Sequence, residues 1–277
     1  MGVLPSGWAD RLCNRNPMRL ILVTDPVKGW WIVAERLIDA VIFDLDNTLT
    51  DFMRAKERSI TEAVEAMIDA GLPVARQEAV DAIFAIYRDK GIEYQRVFNI
   101  YIEQVIGRMD DRILASAVVA YRRARDSALV LYPHAQLVLN RLIKEGYKLA
   151  VVSDAPRFEA WLRLTALGLQ HTFDVVLTYD DTGAHKPNPK PFRMALEKLG
   201  VPAERGLIIG DWRERDILGG RNAGLHTVYA RYGDLYSQYA TKSDAPTAEP
   251  DFVAEDLLQL LDILEKLNAG QTRGGQA

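Results

Sequence analysis

Short apolar runs that end in polar residues recur along the chain, and each is typical of a buried strand in a parallel sheet. The first run, Ala40-Val41-Ile42-Phe43, leads directly into Asp44-Leu45-Asp46-Asn47. Similar runs follow in the second half of the chain, at Leu149–Val152, Val175–Leu177, Leu207–Ile209 and His226–Ala230. The pattern therefore predicts five parallel strands.

Amphipathic helices are predicted between these strands. From Pro133 to Tyr147 the apolar residues recur at i, i+3, i+4, i+7 and i+8, counted from Ala135, which is the spacing of one helix face. Pro133 suits the first helical position, and Gly146 suits the C-terminal cap. The stretch from 191 to 200 repeats this arrangement before the next strand. Strands that alternate with helices indicate an α/β fold with a doubly wound parallel sheet.

The stretch from Asp51 to Leu131 interrupts the alternation. It is rich in Ala, Glu, Arg, Ile and Met, it contains no convincing strand, and it breaks mainly at Gly71-Leu72-Pro73. We therefore expect an inserted α-helical cap domain at 51–131. The core domain would comprise 37–50 and 132–268 and would close with an amphipathic helix over Ala254–Leu267. Residues 1–36 are expected to be an N-terminal extension without function, and 269–277 a flexible tail.

Composition and charge restrict the class of protein. The 277 residues include Lys+Arg 34 and Asp+Glu 38, a net charge of −4, which provides no electrostatic footprint for nucleic acid or anionic membrane. Cys13 is the single cysteine, so an intramolecular disulfide and a cysteine-based zinc site are excluded. No apolar stretch approaches the roughly 18 residues of a membrane span, and Asp25 and Pro26 interrupt the run Leu20–Val23 too early for a signal peptide. We therefore expect a cytoplasmic protein that binds neither nucleic acid nor membrane.

Polar residues near the ends of the predicted strands carry the candidate chemistry. Parallel strands place their carboxyl ends at one edge of the sheet, where the ligand site of such folds lies. That edge would bring together seven residues: Asp44, Asp46, Ser153, Asp154, Lys186, Asp211 and Asp216. Carboxylates this close repel one another, and a divalent cation would keep them ionised. Because the metal ligands would all be oxygen atoms, we expect Mg²⁺ rather than Zn²⁺.

This set of residue types suits the transfer of a phosphoryl group. With the cation and Lys186 supplying positive charge, a carboxylate could attack phosphorus and form an aspartyl-phosphate. A second carboxylate could protonate the leaving alkoxide and later activate water. Each run taken alone has an ordinary structural explanation, such as a turn after a strand or a helix N-cap at Ser153. Their occurrence in one order, at successive strand or helix boundaries, favours a common site.

The four polar runs resemble the motifs of the haloacid dehalogenase-like hydrolase superfamily, in its subgroup with a helical cap between the first and second motifs. The resemblance covers about Leu37 to Leu267. Its first motif is Asp44–Thr50, which is similar to a DxDxT signature. The other three motifs are matched by Ser153, by Lys186, and by Asp211 with Asp216 in a GDxxxxD form.

The resemblance implies catalytic roles for Asp44, Asp46 and Lys186, and also for Ser153 through its hydrogen bond to the phosphoryl group. Asp44 would be the nucleophile and a metal ligand. Asp46 would be the general acid/base and would bind Mg²⁺ through its backbone carbonyl. Lys186 would neutralise the charge of the phosphoryl group and steady the nucleophile.

The remaining residues would bind the metal and the phosphoryl group. Asp211 would bind Mg²⁺, with Asp216 assisting directly or through water. Ser153 would hydrogen-bond the phosphoryl group, and backbone amides near Leu45 and Asp154 would complete the phosphoryl-binding site. Asp154 stands where many relatives have Asn, a departure that bears on local substrate contacts.

The resemblance thus implies a Mg²⁺-dependent phosphatase acting on a small phosphorylated metabolite. The runs Ser153–Arg157 and Gly210–Trp212 further resemble a group of archaeal-type phosphatases, some of which act on glyceraldehyde 3-phosphate. The cap would close over the core. Four of its residues could reach a substrate, although a solvated helix face is the better explanation for any one of them: Arg54, Lys90, Tyr94 and Gln95.

Three other functions remain open on the same fold: a 2-haloacid dehalogenase, a sugar-phosphate mutase and a non-catalytic regulatory protein. Asp46 argues against the dehalogenase, because a departing halide needs no proton. The complete set of Asp44, Lys186 and Asp211 argues against the non-catalytic protein, which has no use for clustered carboxylates. The mutase shares the machinery of the phosphatase.

Overall fold

The computed structural model describes residues 22–24, 31–33, 36–234 and 247–269. Most of the predicted N-terminal extension (1–36) and of the predicted tail (269–277) lies outside these residues. Within the extension, two short strands, β1 (Leu22–Thr24) and β2 (Trp31–Val33), pair in antiparallel orientation. The chain from Ile38 to Glu265 forms one compact unit, and the candidate site lies within it.

A six-stranded sheet forms the centre of this unit, in the order β5-β4-β3-β6-β7-β8, with every neighbouring pair parallel. Its strands are β3 (Ala40–Phe43), β4 (Lys148–Val152), β5 (Val175–Leu177), β6 (Gly206–Gly210), β7 (His226–Ala230) and β8 (Phe252–Ala254). The predicted doubly wound α/β sheet is confirmed. The helix predicted from Ala254 is wrong at its start, because Ala254 ends the additional strand β8 and pairs with Ala230.

Further helices lie between and after these strands along the chain. They are α5 (Ala135–Lys144), α6 (Arg157–Ala166), α7 (Tyr179–Thr182), α8 (Lys190–Leu199), α9 (Leu218–Ala223) and α10 (Gln259–Ala269). Phe192 of α8 is fully buried in a cluster with Ile42 and Ile208 of the sheet. Helix α5 begins at Ala135 and not at Pro133, because His134 adopts a left-handed conformation with φ 66.

Four helices follow β3 before the chain returns to the sheet: α1 (Phe52–Asp69), α2 (Arg76–Lys90), α3 (Val97–Ile106) and α4 (Asp111–Ala128). We call them the insertion. They bury a cluster of their own, which includes the fully buried Ile60, Met67, Ile83 and Ile102. Its separation from the core as a cap domain at 51–131 stays a prediction, since these helices share one compact unit with the sheet. None of the described helices combines the length and the apolar character that a membrane span requires.

The insertion enters and leaves the core through neighbouring, hydrogen-bonded residues. Thr50 and Leu131 form an antiparallel bridge. The Asp51 amide donates to the Val130 carbonyl at 3.2 Å, and the Thr50 hydroxyl donates to the same carbonyl at 2.7 Å. Both connections to the insertion therefore lie side by side, close to the carboxyl end of β3, where the candidate site lies.

Candidate active site

The carboxyl ends of three adjacent strands bring the predicted site residues together. Asp44 follows β3, Ser153 follows β4 and Asp211 follows β6, and these strands lie next to one another in the sheet. All seven predicted residues line one cavity of about 1210 Å³: Asp44, Asp46, Ser153, Asp154, Lys186, Asp211 and Asp216. The strand order thus turns residues far apart in sequence into one site.

The turn after β3 shapes the first part of this site. Asn47 has a left-handed backbone with φ 62, a conformation that Asn tolerates better than most residues. Its side-chain Oδ1 accepts a hydrogen bond from the Met53 amide at 3.0 Å, which ties the turn to the start of α1. Thr48 Oγ1 lies 3.2 Å from Asp44 Oδ2 and 3.4 Å from Asp211 Oδ1. The turn therefore sets the distance between the two carboxylates.

Lys186 is a buried ammonium between two carboxylates. Its Nζ donates to Asp44 Oδ1 at 2.5 Å and to Asp216 Oδ1 at 2.6 Å, and only 5% of the residue is exposed. The Asp154 carboxylate accepts a hydrogen bond from the Lys186 backbone amide at 3.0 Å and so fixes the start of that side chain. An ammonium in this position can neutralise an anionic group that approaches Asp44.

Asp216 reaches Lys186 because Gly210 has no side chain and leaves space for the Asp216 carboxylate. A Cβ atom at Gly210 would lie 2.4 Å from Cβ and Cγ of Asp216, a distance that would force the carboxylate to move. A π-helical turn over 213–217 then folds Asp216 back toward β6, and the Trp212 amide donates to Asp216 Oδ2 at 3.1 Å. The glycine of the GDxxxxD motif is therefore required to make room for the Asp216 side chain.

Burial and like charges raise the pKa values of the clustered acids. Burial is the largest cause of a raised pKa for Asp44, which reaches about 7 although the charge of Lys186 lowers it. Burial, followed by the charges of Asp44 and Asp216, raises the pKa of Asp211 well above its ordinary value. Burial acts to lower the pKa of Lys186, but the charges of Asp216 and Asp44 raise it, so this side chain stays charged. A single lysine therefore does not neutralise the cluster.

The carboxylates of Asp44, Asp211 and Asp216 fit a divalent cation. Each offers one oxygen atom, and these three atoms lie within 4.8 Å of one another. A cation among them would compensate the repulsion that raises the pKa values of Asp44 and Asp211. An all-oxygen ligand set of this kind suits Mg²⁺ better than softer metals.

Asp46 faces a buried arginine that the sequence did not reveal. Arg163 Nη1 lies 3.2 Å from Asp46 Oδ2, and Nη2 contacts the Glu93 carboxylate of the insertion. The guanidinium carbon lies 4.3 Å from the centre of the Phe52 ring. The other carboxylate oxygen of Asp46, Oδ1, is buried and has no hydrogen-bond partner among the described residues.

The pKa of Asp46 is raised to about 6. Burial is the largest cause, the charge of Arg163 lowers the pKa, and the charge of Glu93 raises it. A carboxyl group with a pKa near 6 is protonated in a useful fraction of molecules close to neutral pH. It can therefore donate a proton in one step and accept one in another.

Ser153 and Asp154 lie at the wall of the cavity next to Lys186. Ser153 is buried, and its Oγ accepts a hydrogen bond from the Ala155 amide at 3.2 Å, leaving its hydroxyl proton for another acceptor. The Asp154 carboxylate also lies 3.3 Å from Arg215 Nη1. Asp154, which stands where many relatives have Asn, thus contacts both Lys186 and Arg215.

The insertion contributes to the same cavity through the start of α1, the end of α2 and the segment that joins α2 to α3. Of the four insertion residues proposed to reach a substrate, Lys90 and Tyr94 line the cavity. Gln95 lines a neighbouring cavity of about 650 Å³. Arg54 is exposed and lies 4.0 Å from the Asp51 carboxylate.

The chain is similar to known hydrolases in sequence and in fold. A family model described as haloacid dehalogenase-like hydrolase matches residues 38–224. A glyceraldehyde 3-phosphate phosphatase from Methanothermobacter thermautotrophicus is 32% identical, and the match covers 82% of this chain and 100% of the relative. The structure of a predicted phosphoglycolate phosphatase from Haemophilus somnus is 25% identical, with a TM-score of 0.57 over 82% of this chain and 98% of that one. A 2-haloacid dehalogenase from Pseudomonas syringae shares the fold at 24% identity and a TM-score of 0.58, over 83% of this chain and 99% of that one.

Proposed function

Because the chain belongs to the haloacid dehalogenase-like hydrolase family, we propose that it is a phosphatase that uses Asp44 as a covalent nucleophile and Asp46 as general acid/base. One observation carries the proposal: a nucleophilic carboxylate, a buried ammonium and a second carboxyl group with a free oxygen line the same cavity. The relatives named for glyceraldehyde 3-phosphate make a small alkyl phosphate of that kind the first substrate to test.

In the first step, a carboxylate oxygen of Asp44 attacks phosphorus and the bond from phosphorus to the leaving oxygen breaks. Lys186, which contacts Asp44, stabilises the negative charge on the phosphoryl oxygens. Asp46 gives its proton to the leaving alkoxide, which departs as an alcohol. Asp44 is then an aspartyl-phosphate and Asp46 a carboxylate.

In the second step, water attacks the aspartyl-phosphate at phosphorus. Asp46 takes a proton from this water, the bond between phosphorus and Asp44 breaks, and inorganic phosphate leaves. Ser153 at the cavity wall has a hydroxyl proton that can be donated to a phosphoryl oxygen in both steps. After the second step, Asp44 is again a free carboxylate and Asp46 is again protonated.

Asp44, Asp211 and Asp216 would hold Mg²⁺, together with the backbone carbonyl of Asp46 that the family resemblance implies. When bound, the ion supplies positive charge that offsets charge developing on the phosphoryl oxygens. The same charge would lower the raised pKa of Asp44 and keep this nucleophile ionised.

Removal of divalent cations is expected to abolish phosphate release, because Lys186 alone leaves the carboxylate cluster undercompensated. The expected loss is at least about 10²-fold, since a catalytic metal typically supplies several kcal/mol of charge stabilisation. The measurement is phosphate release after dialysis against EDTA and after return of Mg²⁺. Full activity in metal-free protein, verified by elemental analysis, would contradict the metal assignment.

Phosphate release without halide release is the expected reaction specificity. The dehalogenase fold neighbour shows that the architecture alone does not choose the reaction. The choice rests on Asp46, since an alkoxide leaves far more easily with a proton and a halide gains nothing from one. A panel of phosphorylated metabolites that includes glyceraldehyde 3-phosphate, and of 2-chloro acids, would measure phosphate and chloride release. Chloride release without phosphate release would overturn the proposal in favour of a dehalogenase.

A further inference from the structure

Arg163 is a buried cation that joins the insertion to Asp46. It lies on α6, 6% of the residue is exposed, and it contacts the carboxylates of Asp46 and Glu93. Those two acids are 47 residues apart and belong to the turn after β3 and to the segment between α2 and α3. The planar guanidinium, with five donors in a fixed fork, suits a position between two carboxylates better than an ammonium does.

The arginine engages Asp46 from one side only. Arg163 Nη1 forms an ion pair with Oδ2 at 3.2 Å, without the geometry of a hydrogen bond, and Oδ1 is buried without a hydrogen-bond partner among the described residues. A buried carboxylate oxygen without a partner is costly, and such an atom requires an explanation. A substrate oxygen that exchanges a proton with Oδ1 provides one.

Arg163 is not among the described residues that line the cavity containing Asp44. It lines the neighbouring cavity of about 650 Å³, which Glu93 also lines. Direct contact between Arg163 and the phosphoryl group is therefore not the arrangement that the structure favours. Arg163 would then act on the reaction through the carboxylates that it contacts, of which Asp46 is the proposed proton donor.

We propose that Arg163 is a positioning residue, which holds Asp46 by Oδ2 so that Oδ1 meets the leaving oxygen, and that Glu93 of the insertion holds Arg163 in that place. This inference rests on the proposed function, because it assigns a role relative to the proton donor. It differs from a purely structural role, in which the arginine would only fasten the insertion to α6.

A double-mutant cycle on the full-length, Mg²⁺-loaded protein separates the two roles. The rate of phosphoenzyme formation is measured by rapid quench with ³²P-labelled glyceraldehyde 3-phosphate for the wild type, Arg163→Met, Asp46→Ala and the double variant. We expect Arg163→Met to slow this step by about 10- to 100-fold, a part of what a general acid contributes. In the Asp46→Ala background, the same change should have almost no further effect, because residues that act as a unit are not additive.

The leaving group supplies a second readout. With p-nitrophenyl phosphate the leaving group needs little protonation, so Arg163→Met should slow the release of p-nitrophenol in the first turnover far less than it slows the alkyl reaction. Equal slowing with both substrates, or full slowing in the Asp46→Ala background, would show a structural role and overturn the proposal. The matched control is Arg157→Met on the same helix, which removes an exposed ion pair with Asp181 and should leave both rates near wild type.

Two further variants decide the question if Arg163→Met does not fold. Arg163→Lys keeps the charge but loses the fork, and Glu93→Gln keeps the shape of the side chain but loosens the arginine. Both should slow the alkyl reaction more than the aryl reaction, and neither should add to Asp46→Ala. Absence of phosphate release from every phosphomonoester by the wild type would instead reject the proposed function itself, so the two failures are distinct.

Discussion

Replacement of Asp44 by Asn is expected to abolish turnover and to leave the fold intact. The amide is nearly isosteric with the carboxylate but does not attack phosphorus, so the expected loss is roughly 10⁴-fold or more, as for other enzymes deprived of their nucleophile. Lys186 retains Asp216 as a partner at 2.6 Å, so the ammonium is not left unpaired. The measurement is phosphate release together with the circular dichroism spectrum of both proteins.

The raised pKa of Asp44 adds a prediction about stability. Burial raises this pKa from 3.8 to about 7, so in metal-free protein the folded state disfavours the ionised acid. An acid whose pKa is raised by folding destabilises the protein increasingly as the pH rises above its unfolded pKa. Asp44→Asn removes that contribution. The melting temperature of the metal-free variant at pH 7 should therefore not fall below that of the wild type.

Asp39→Asn is the matched control for this experiment. Asp39 lies just before the N-terminal end of β3, whereas Asp44 lies just after its C-terminal end. The Asp39 carboxylate accepts a hydrogen bond from Arg205 Nε at 2.6 Å, away from the candidate site. The same chemical change there should preserve turnover. Substantial turnover in Asp44→Asn would place the nucleophile elsewhere and would falsify the covalent mechanism.

Replacement of Asp46 by Ala is expected to produce a loss that depends on the leaving group. Hydrolysis of alkyl phosphates should slow by about 10²–10⁴-fold, the usual contribution of general acid/base catalysis. Phosphoenzyme formation from an aryl phosphate should slow less, because its leaving group is a weak base. Breakdown of the phosphoenzyme should slow for both substrates, since the attacking water also needs a base. Burst kinetics on an aryl phosphate, compared with steady-state phosphate release, measure the two steps separately.

Equal losses with alkyl and aryl phosphates in the first step would contradict the assignment of Asp46 as proton donor. Asp51→Ala is a suitable control, because Asp51 is also an acid close to the turn after β3. Its carboxylate accepts a hydrogen bond from the Arg54 amide at the start of α1. We expect a loss of helix stability typical of an N-cap, about 1 kcal/mol, without dependence on the leaving group.

The sheet and its cluster of acids could be predicted because they depend on local patterns. An apolar run such as Ala40–Phe43 fixes a buried strand, and parallel strands place the residues after them at one edge. Strand β8 was missed because Phe252–Ala254 is three residues long and runs into an amphipathic stretch. That segment is a strand because it pairs with β7, beginning with Val228 opposite Phe252. The sequence of the segment alone does not indicate this pairing.

Arg163 could not be predicted because apolar residues lie on both faces of its helix, with Ala160 and Leu164 on the buried face. In α6 the apolar side chains Phe158, Trp161 and Leu162 are exposed, while Arg163 is buried. An apolar stripe at i, i+3 and i+4 ordinarily indicates the buried face, so the sequence places this arginine on the wrong side. Its partner Glu93 lies 70 residues away and supplies no local signal.

The pair of connections that joins the insertion to the core bears on how the family can vary. The Asp51 amide donates a hydrogen bond to the Val130 carbonyl, so the chain leaves the core and returns to it at neighbouring residues. The four helices of the insertion lie between these two residues in the chain. Chain length between two fixed points is thermodynamically inexpensive to change, at about 0.6 kcal/mol for each doubling of a flexible loop. Longer, shorter or unrelated insertions could therefore be exchanged during evolution while β3 and its carboxylates stay in place. Changes in the insertion would then alter selectivity for the leaving group without altering the chemistry at phosphorus. Glu93 would be an exception, because it contacts Arg163, which contacts Asp46.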